Sequence, residues 1–281
     1  MNKWIVGARP KTLPAAIAPV LVATAYAGSN WAPSRAISAL LVSLSLQIGV
    51  NFANDYSDGI RGTDDSRIGP VRLTASGLAS PKSVRSAALI SFLIAALIGL
   101  TLAAATSWWI ILVGAVAINA AWGYTGGTNP YGYKGLGEIS VFLFFGIVAT
   151  VGSYYVQVEE LNLQIFTIAI PMGSLACAIL AINNLRDRAQ DQLVGKKTLA
   201  VRLGDSGART LYIALLISAH LFALLTFQPA VALTLIAAPL TWKLSRGVAS
   251  GVSGADLIPF LARTGKLQLV FALLFALGLA F

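Results

Sequence analysis

The sequence predicts an all-α polytopic membrane protein, with about nine transmembrane helices in one bundle and a single domain over residues 1–281. Three observations carry this. Of the 281 residues, 57% are hydrophobic and 11% are charged, against about 45–50% and about 25% in soluble domains, where the first figure already counts glycine. The hydrophobic share here leaves out 26 glycines, so too few charged side chains remain to cover a water-facing surface. Apolar runs approaching the roughly 20 residues of a membrane span recur along the whole chain. The charges, finally, sort to one side of those runs.

The apolar runs lie at about 13–28, 36–54, 84–104, 107–124, 136–156, 165–184, 208–227, 229–245 and 260–281. The first is short and carries Pro14 and Pro19, and only Gln228-Pro229 separates the seventh from the eighth. Cys177, the one cysteine, lies in an apolar run and reads as a small buried hydrophobe. His220, midway along the seventh run, reads as a hydrogen-bonded packing residue, and Trp108-Trp109 as an interface anchor. Met1–Pro14 lacks the ordered regions of a secretory signal, so no cleavage is expected.

A net charge of +9 raises nucleic acid as a partner, but so apolar a chain has few places for a nucleic-acid face, and none is expected to bind. Sidedness accounts for the bases better. With nine spans, the N-terminus and the loops after even-numbered spans share one face, and every Lys and Arg except Arg35 falls there. By the positive-inside rule that face is cytoplasmic, in the cell (inner) membrane. All the acids but Glu159 and Glu160 gather there too. Charge sorting gives carboxylates no strong preference, so chemistry is the obvious reason for them.

Two clusters stand out. The second span ends in Asn51-Phe-Ala-Asn54-Asp55-Tyr-Ser-Asp58, followed by Asp64. The sixth ends in Asn183-Asn184-Leu-Arg186-Asp187, followed by Asp191 and then Lys196-Lys197. If each helix runs on through its motif, the i, i+3/4, i+7 spacing puts these groups on one face. The like patterns, four spans apart, suggest an internal duplication. Carboxylates on facing helix ends hold hard divalent cations through oxygen, and magnesium completes its shell with water and phosphate oxygens. Interleaved Arg61, Arg72, Arg186, Lys196 and Lys197 complete a description of a magnesium–diphosphate site, and helix C-termini favour cations. The bland readings are capping Asn and Asp, sorted lysines at 196 and 197, belt aromatics at Tyr124 and Tyr131, and an N-terminal helix acid at Glu138.

At Asn54-Asp55-Tyr-Ser-Asp58 and Asp187-Arg-Ala-Gln-Asp191 the chain resembles the UbiA superfamily of intramembrane prenyltransferases. Many members carry a third Asp where Gly62 stands; here the acid comes later, at Asp64. That feature looks like the 1,4-dihydroxy-2-naphthoate branch. So do Arg9-Pro-Lys-Thr-Leu-Pro14, Gly69-Pro-Val-Arg72, Pro130-Tyr-Gly-Tyr-Lys134 and Gly195-Lys-Lys-Thr-Leu199. The resemblance implies a UbiA-like bundle that transfers a polyprenyl group from a polyprenyl diphosphate to 1,4-dihydroxy-2-naphthoate with decarboxylation, in contact with membrane lipid. Two Mg2+ ions are implied, one on Asn54, Asp55, Asp58 and Asp64, the other on Asn184, Asp187 and Asp191. Arg72, Lys134, Lys196 and Lys197 are the implied diphosphate contacts, with Lys134 nearest the leaving group. Tyr124 is the implied stabiliser of the allyl cation and Arg9 the contact for the acceptor carboxylate. The alternatives are another superfamily acceptor, such as 4-hydroxybenzoate or homogentisate, and, from a different class, a secondary transporter.

Overall fold

A computed structural model of the chain describes residues 2–64 and 69–281. Asp65 and Arg67, counted above among the loop charges, lie outside the described residues. Every regular element among those described is helical, as membrane burial requires, since a helix satisfies its own backbone groups without water. In chain order the α-helices are α1 (Lys3–Ala8), α2 (Pro14–Ala27), α3 (Pro33–Ile60), α4 (Pro81–Ala105) and α5 (Trp109–Gly123). Then come α6 (Gly137–Val141), α7 (Ala149–Val158), α8 (Leu163–Leu193), α9 (Leu199–Leu224), α10 (Ala238–Ala249) and α11 (Ile258–Ala280).

Each of the nine apolar runs lies on helical backbone. By length and composition, however, six helices among the described residues can cross a membrane, and the pair Lys3–Thr12 and Pro14–Asn30, bent by 52°, makes a seventh if counted as one span. α5 is apolar but only 15 residues long, and the run from Pro229 begins as nine residues of 3-10 helix before continuing as α10.

Local chemistry sets the ends. Proline opens α2, α3 and α4 and stands second in α11, in the first turn, where its missing N–H costs nothing and its φ is already helical. Ser80 and Asn162 cap α4 and α8, accepting from the N–H groups of Ser83 and Ile165. α6 and α7 are one rod joined by a π-helical stretch, Phe142–Val148. There Gly146 meets Gly173 of α8 so closely that a Cβ on Gly146 would lie 2.5 Å from the Gly173 Cα, the small-residue contact that lets membrane helices approach. α8 is the centre of the bundle: Ile168, Met172, Ala178 and Ile182 are fully buried along it. α4, by contrast, presents Leu89, Ile90, Leu93 and Leu97 outward, the face expected against lipid.

Two extensions position the site. α3 runs six residues past the expected end of its span, to Ile60, and α8 runs to Leu193 rather than stopping near 184. Both acidic motifs are therefore helical, which was the condition for their residues to share a face.

Candidate active site

The bundle encloses a cavity of about 740 Å³. Asn54, Asp58, Asn184, Asp187 and Asp191 line one end of it, with Arg72 and Lys196 beside them. The rest is walled by apolar side chains such as Val50, Ile118, Phe144, Phe145 and Val148, the two phenylalanines coming from the π-helical stretch.

Lys196 ties the two acidic clusters together. Its backbone N–H donates to the Asp191 carbonyl at 2.8 Å, and its Nζ lies 3.3 Å from Asp58 Oδ2. The other Asp58 oxygen accepts from the Tyr133 hydroxyl at 2.6 Å. The Lys196 ammonium also sits 4.6 Å from the centre of the Tyr133 ring, a favourable place for a cation. On the α8 side, Arg186 holds Asp187 through both carboxylate oxygens at 2.7 Å. Asn184 Nδ2 donates to Glu138 Oε1 at 3.0 Å, which turns the amide oxygen of Asn184 away from Glu138. Asn54 Oδ1 accepts from Thr125 at 2.7 Å, and Arg61 holds that loop through the carbonyls of Thr125 and Gly127.

Tyr124 lines the cavity, its ring edge-on to Tyr131 at 5.6 Å. Burial, and then the negative charge of Glu138, Asp58 and Asp191 nearby, push the Tyr124 phenol far above its ordinary range. Burial and Asp58 do the same to Tyr133. Both phenols therefore stay neutral at physiological pH, and that of Tyr133 donates to Asp58.

The structure redistributes several expected roles. Asp55 is fully buried and does not line the cavity. Its two oxygens accept from the backbone N–H groups of Leu73 and Thr74, at 2.8 and 2.9 Å. It clamps the loop that carries Arg72, and Gly59 lets that loop close in, since a Cβ there would lie 2.5 Å from Thr74. Asp64 is likewise off the cavity and pairs with Arg72 Nε at 3.2 Å. As placed here, Asp55 holds the backbone next to Arg72, and Asp64 holds its side chain. Lys134 and Lys197 are exposed and away from the cavity, so neither is placed at the diphosphate end. Lys134 shares a turn with Tyr133, whose carbonyl accepts from the Lys197 N–H at 2.9 Å. Arg9 does line the cavity.

Tyr133 and Thr125, to which the sequence reading gave no role, also line the cavity, as does Asn183 of the second cluster. The signal for Tyr133 was at hand, one residue before Lys134 in a phrase already noticed. Glu138 begins a helix, as expected, but is buried and supports Asn184. His220 bonds Thr241 at 2.9 Å and packs on Phe271, and Cys177 is buried. Trp108 and Trp109 are both exposed, and Trp109 also lines the cavity and bonds the Tyr155 hydroxyl at 3.3 Å.

Oxygen donors dominate the charged end, as a hard cation requires. Among the described residues no three Asp, Glu, His or Cys side chains converge on one point. That matches a magnesium ion that takes one or two carboxylates and fills its shell with water and substrate oxygens. Arg72 Nη1, buried and with no hydrogen-bond partner among the described residues, suits an anion at the same end.

Comparison with known proteins agrees with this geometry. Among the relatives, 1,4-dihydroxy-2-naphthoate octaprenyltransferase of Mycobacterium tuberculosis is 49% identical, over 99% of this chain and 97% of its own. The enzyme of the same name from Escherichia coli is 39% identical over 98% and 94%. A solved UbiA homologue from Archaeoglobus fulgidus, bound to GPP and Mg2+, shares the fold with a TM-score of 0.72 at 15% identity, covering 99% of both chains. The UbiA prenyltransferase family model matches residues 16–255, and the chain belongs to that family.

Proposed function

We propose that this chain transfers a polyprenyl group from a polyprenyl diphosphate to 1,4-dihydroxy-2-naphthoate, with loss of the carboxylate as CO2, giving demethylmenaquinol, the hydroquinone form of demethylmenaquinone, for menaquinone biosynthesis. The observation that carries the reading is the cavity itself, acidic and basic at one end and apolar beyond it. Relatives as similar as 49% that bear that enzymatic name support the acceptor.

The residues divide the work as follows. Asn54 and Asp58 on α3, and Asn184, Asp187 and Asp191 on α8, would hold two Mg2+ ions, one per helix end. Bound there, magnesium neutralises the diphosphate as it leaves. Arg72 Nη1 and Lys196 Nζ donate to the diphosphate oxygens. When the allylic C–O bond breaks, its electron pair departs with the diphosphate, and these fixed charges stabilise that separation. The apolar wall excludes water from the allyl cation, and the face of Tyr124 lies along the same cavity to stabilise it. An electron-rich ring carbon of the naphthoate then attacks, with Arg9 holding the carboxylate. The prenyl tail runs along the apolar wall towards lipid. We read residues 1–281 as one domain in the cell membrane, with the N-terminus and the charged end on the cytoplasmic side. The one-sided Lys and Arg support that orientation.

Two measurements check this. Purified protein in detergent should release diphosphate from a polyprenyl donor only with Mg2+ and the naphthoate both present. No release sinks the enzyme reading and revives a transporter, and stronger alkylation of 4-hydroxybenzoate or homogentisate overturns the acceptor. Among the lysines, Lys196→Met should lower turnover about 100-fold, the scale of losing one preorganised donor. Lys134→Ala and Lys197→Ala should stay within about threefold of wild type, as exposed side chains do. A larger loss at Lys134 than at Lys196 would return the leaving-group role to Lys134.

A further inference from the structure

One part of the cavity wall is polar. Where α1 bends into α2, Thr12 faces Gln47 and Asn51 of α3, and all three line the cavity with Arg9 and Lys11. The Thr12 hydroxyl donates to the Arg9 carbonyl at 2.9 Å. Having spent its one proton there, it has only lone pairs left, and it takes the amide nitrogens of Gln47 at 3.0 Å and Asn51 at 3.1 Å. Asn51 Nδ2 also donates to the Ala8 carbonyl at 2.9 Å, a group that can only accept. Both amides are thus fixed with nitrogen towards Thr12, which leaves Gln47 Oε1 and Asn51 Oδ1 as their free ends, with no hydrogen bond among the described residues. Arg9, φ 51°, holds a left-handed conformation that costs a non-glycine residue about 1–2 kcal/mol. Its guanidinium donates to the Asn51 carbonyl at 3.3 Å, and strain of this kind collects at ligand sites.

We propose that this shelf is the acceptor subsite: Gln47 Oε1 and Asn51 Oδ1 accept from the phenolic hydroxyls of the aromatic substrate, Arg9 and Lys11 receive its carboxylate, and Thr12 is the positioning residue that sets both amides. Two hydroxyl acceptors beside two cations describe a dihydroxylated arenoate. Asn51 and Gln47 lie one and two turns inward of Asn54 on α3, about 5 and 10 Å at 1.5 Å per residue. A bicyclic ring on the shelf therefore lies beside the charged end, while the tail keeps the apolar wall. The inference rests on the proposed function for the identity of the acceptor, but not for the geometry.

Thr12→Val keeps shape and removes the hydroxyl; Thr12→Ser keeps the hydroxyl. With full-length protein in detergent, Thr12→Val should raise the KM for 1,4-dihydroxy-2-naphthoate about tenfold or more, the cost of misplacing hydrogen-bond partners. The donor KM should stay within about twofold, and Thr12→Ser should restore the acceptor KM. Thr12→Val should also erode the preference for the dihydroxylated ring over 1-hydroxy-2-naphthoate as a competitive inhibitor. An unmoved acceptor KM, an equal rise in the donor KM, or failure of the serine variant to rescue would each overturn the shelf. Calorimetric binding of the naphthoate to wild type and Thr12→Val keeps the two proposals apart. Wild type that binds but does not turn over fails the proposed function alone, and equal binding by both proteins fails the shelf alone.

Discussion

Asp58→Ala and Asp191→Ala are each expected to lower turnover at least about 1,000-fold, the upper scale of removing one electrostatic stabiliser from a dry site, while the protein still folds and inserts. Both side chains line the charged end of the cavity, and Asp58 also holds Lys196 and the Tyr133 hydroxyl. Both alanine and asparagine at 58 take the counter-charge from the Lys196 ammonium, so Asp58→Asn is the variant that also keeps the side-chain volume and an amide oxygen for the Tyr133 hydroxyl. It should raise the Mg2+ concentration for half-maximal turnover about tenfold or more, since hard cations are held by charged oxygens. Steady-state diphosphate release across a Mg2+ series, with apparent melting temperature as the control for folding, decides this. Turnover within about tenfold of wild type in Asp191→Ala, at saturating Mg2+, would remove Asp191 from the metal site.

Asp55 should behave differently, although it sits in the same motif. Asp55→Ala leaves the buried N–H groups of Leu73 and Thr74 without acceptors, at about 1–3 kcal/mol each. The apparent melting temperature should drop by at least about 4 °C, taking about 2–4 °C per kcal/mol. Turnover should fall as well, because the released loop carries Arg72. The distinguishing readout is magnesium: Asp55→Asn, whose single amide oxygen can accept from one of the two N–H groups, should recover part of the stability and leave the Mg2+ requirement near wild type. A Mg2+ requirement raised as far as in Asp58→Asn would make Asp55 a ligand after all.

Much of this was legible in the sequence for reasons that are local. Apolar run length marks helices, and the nine runs all fall on helical backbone, although proline and shortness at 13–28, 107–124 and 229–245 leave fewer clear spans by length than were counted. Composition excluded a soluble fold. The i, i+3/4 spacing correctly predicted that Asn54 with Asp58, and Asn184 with Asp187 and Asp191, would share a surface once their helices ran on. Spacing cannot choose between neighbours such as Asn54 and Asp55, since both sit within reach of the face that Asp58 occupies. That choice belongs to the loop at 72–77, which meets α3 at Gly59 and takes the Asp55 carboxylate for its own backbone.

The same division holds across the site. The apolar runs and the two acidic helix ends were determined by the sequence alone, because length, hydropathy and charge are properties of each segment by itself. Which lysine faces the cavity was decided only by the tertiary structure: Lys196 turns in to Asp58, while Lys197 and Lys134 stay exposed. The orientation of Gln47 and Asn51 was likewise settled by one hydroxyl on a different helix pair. A side chain's role depends on which groups from distant segments compete for it, and those partners meet only when the bundle closes.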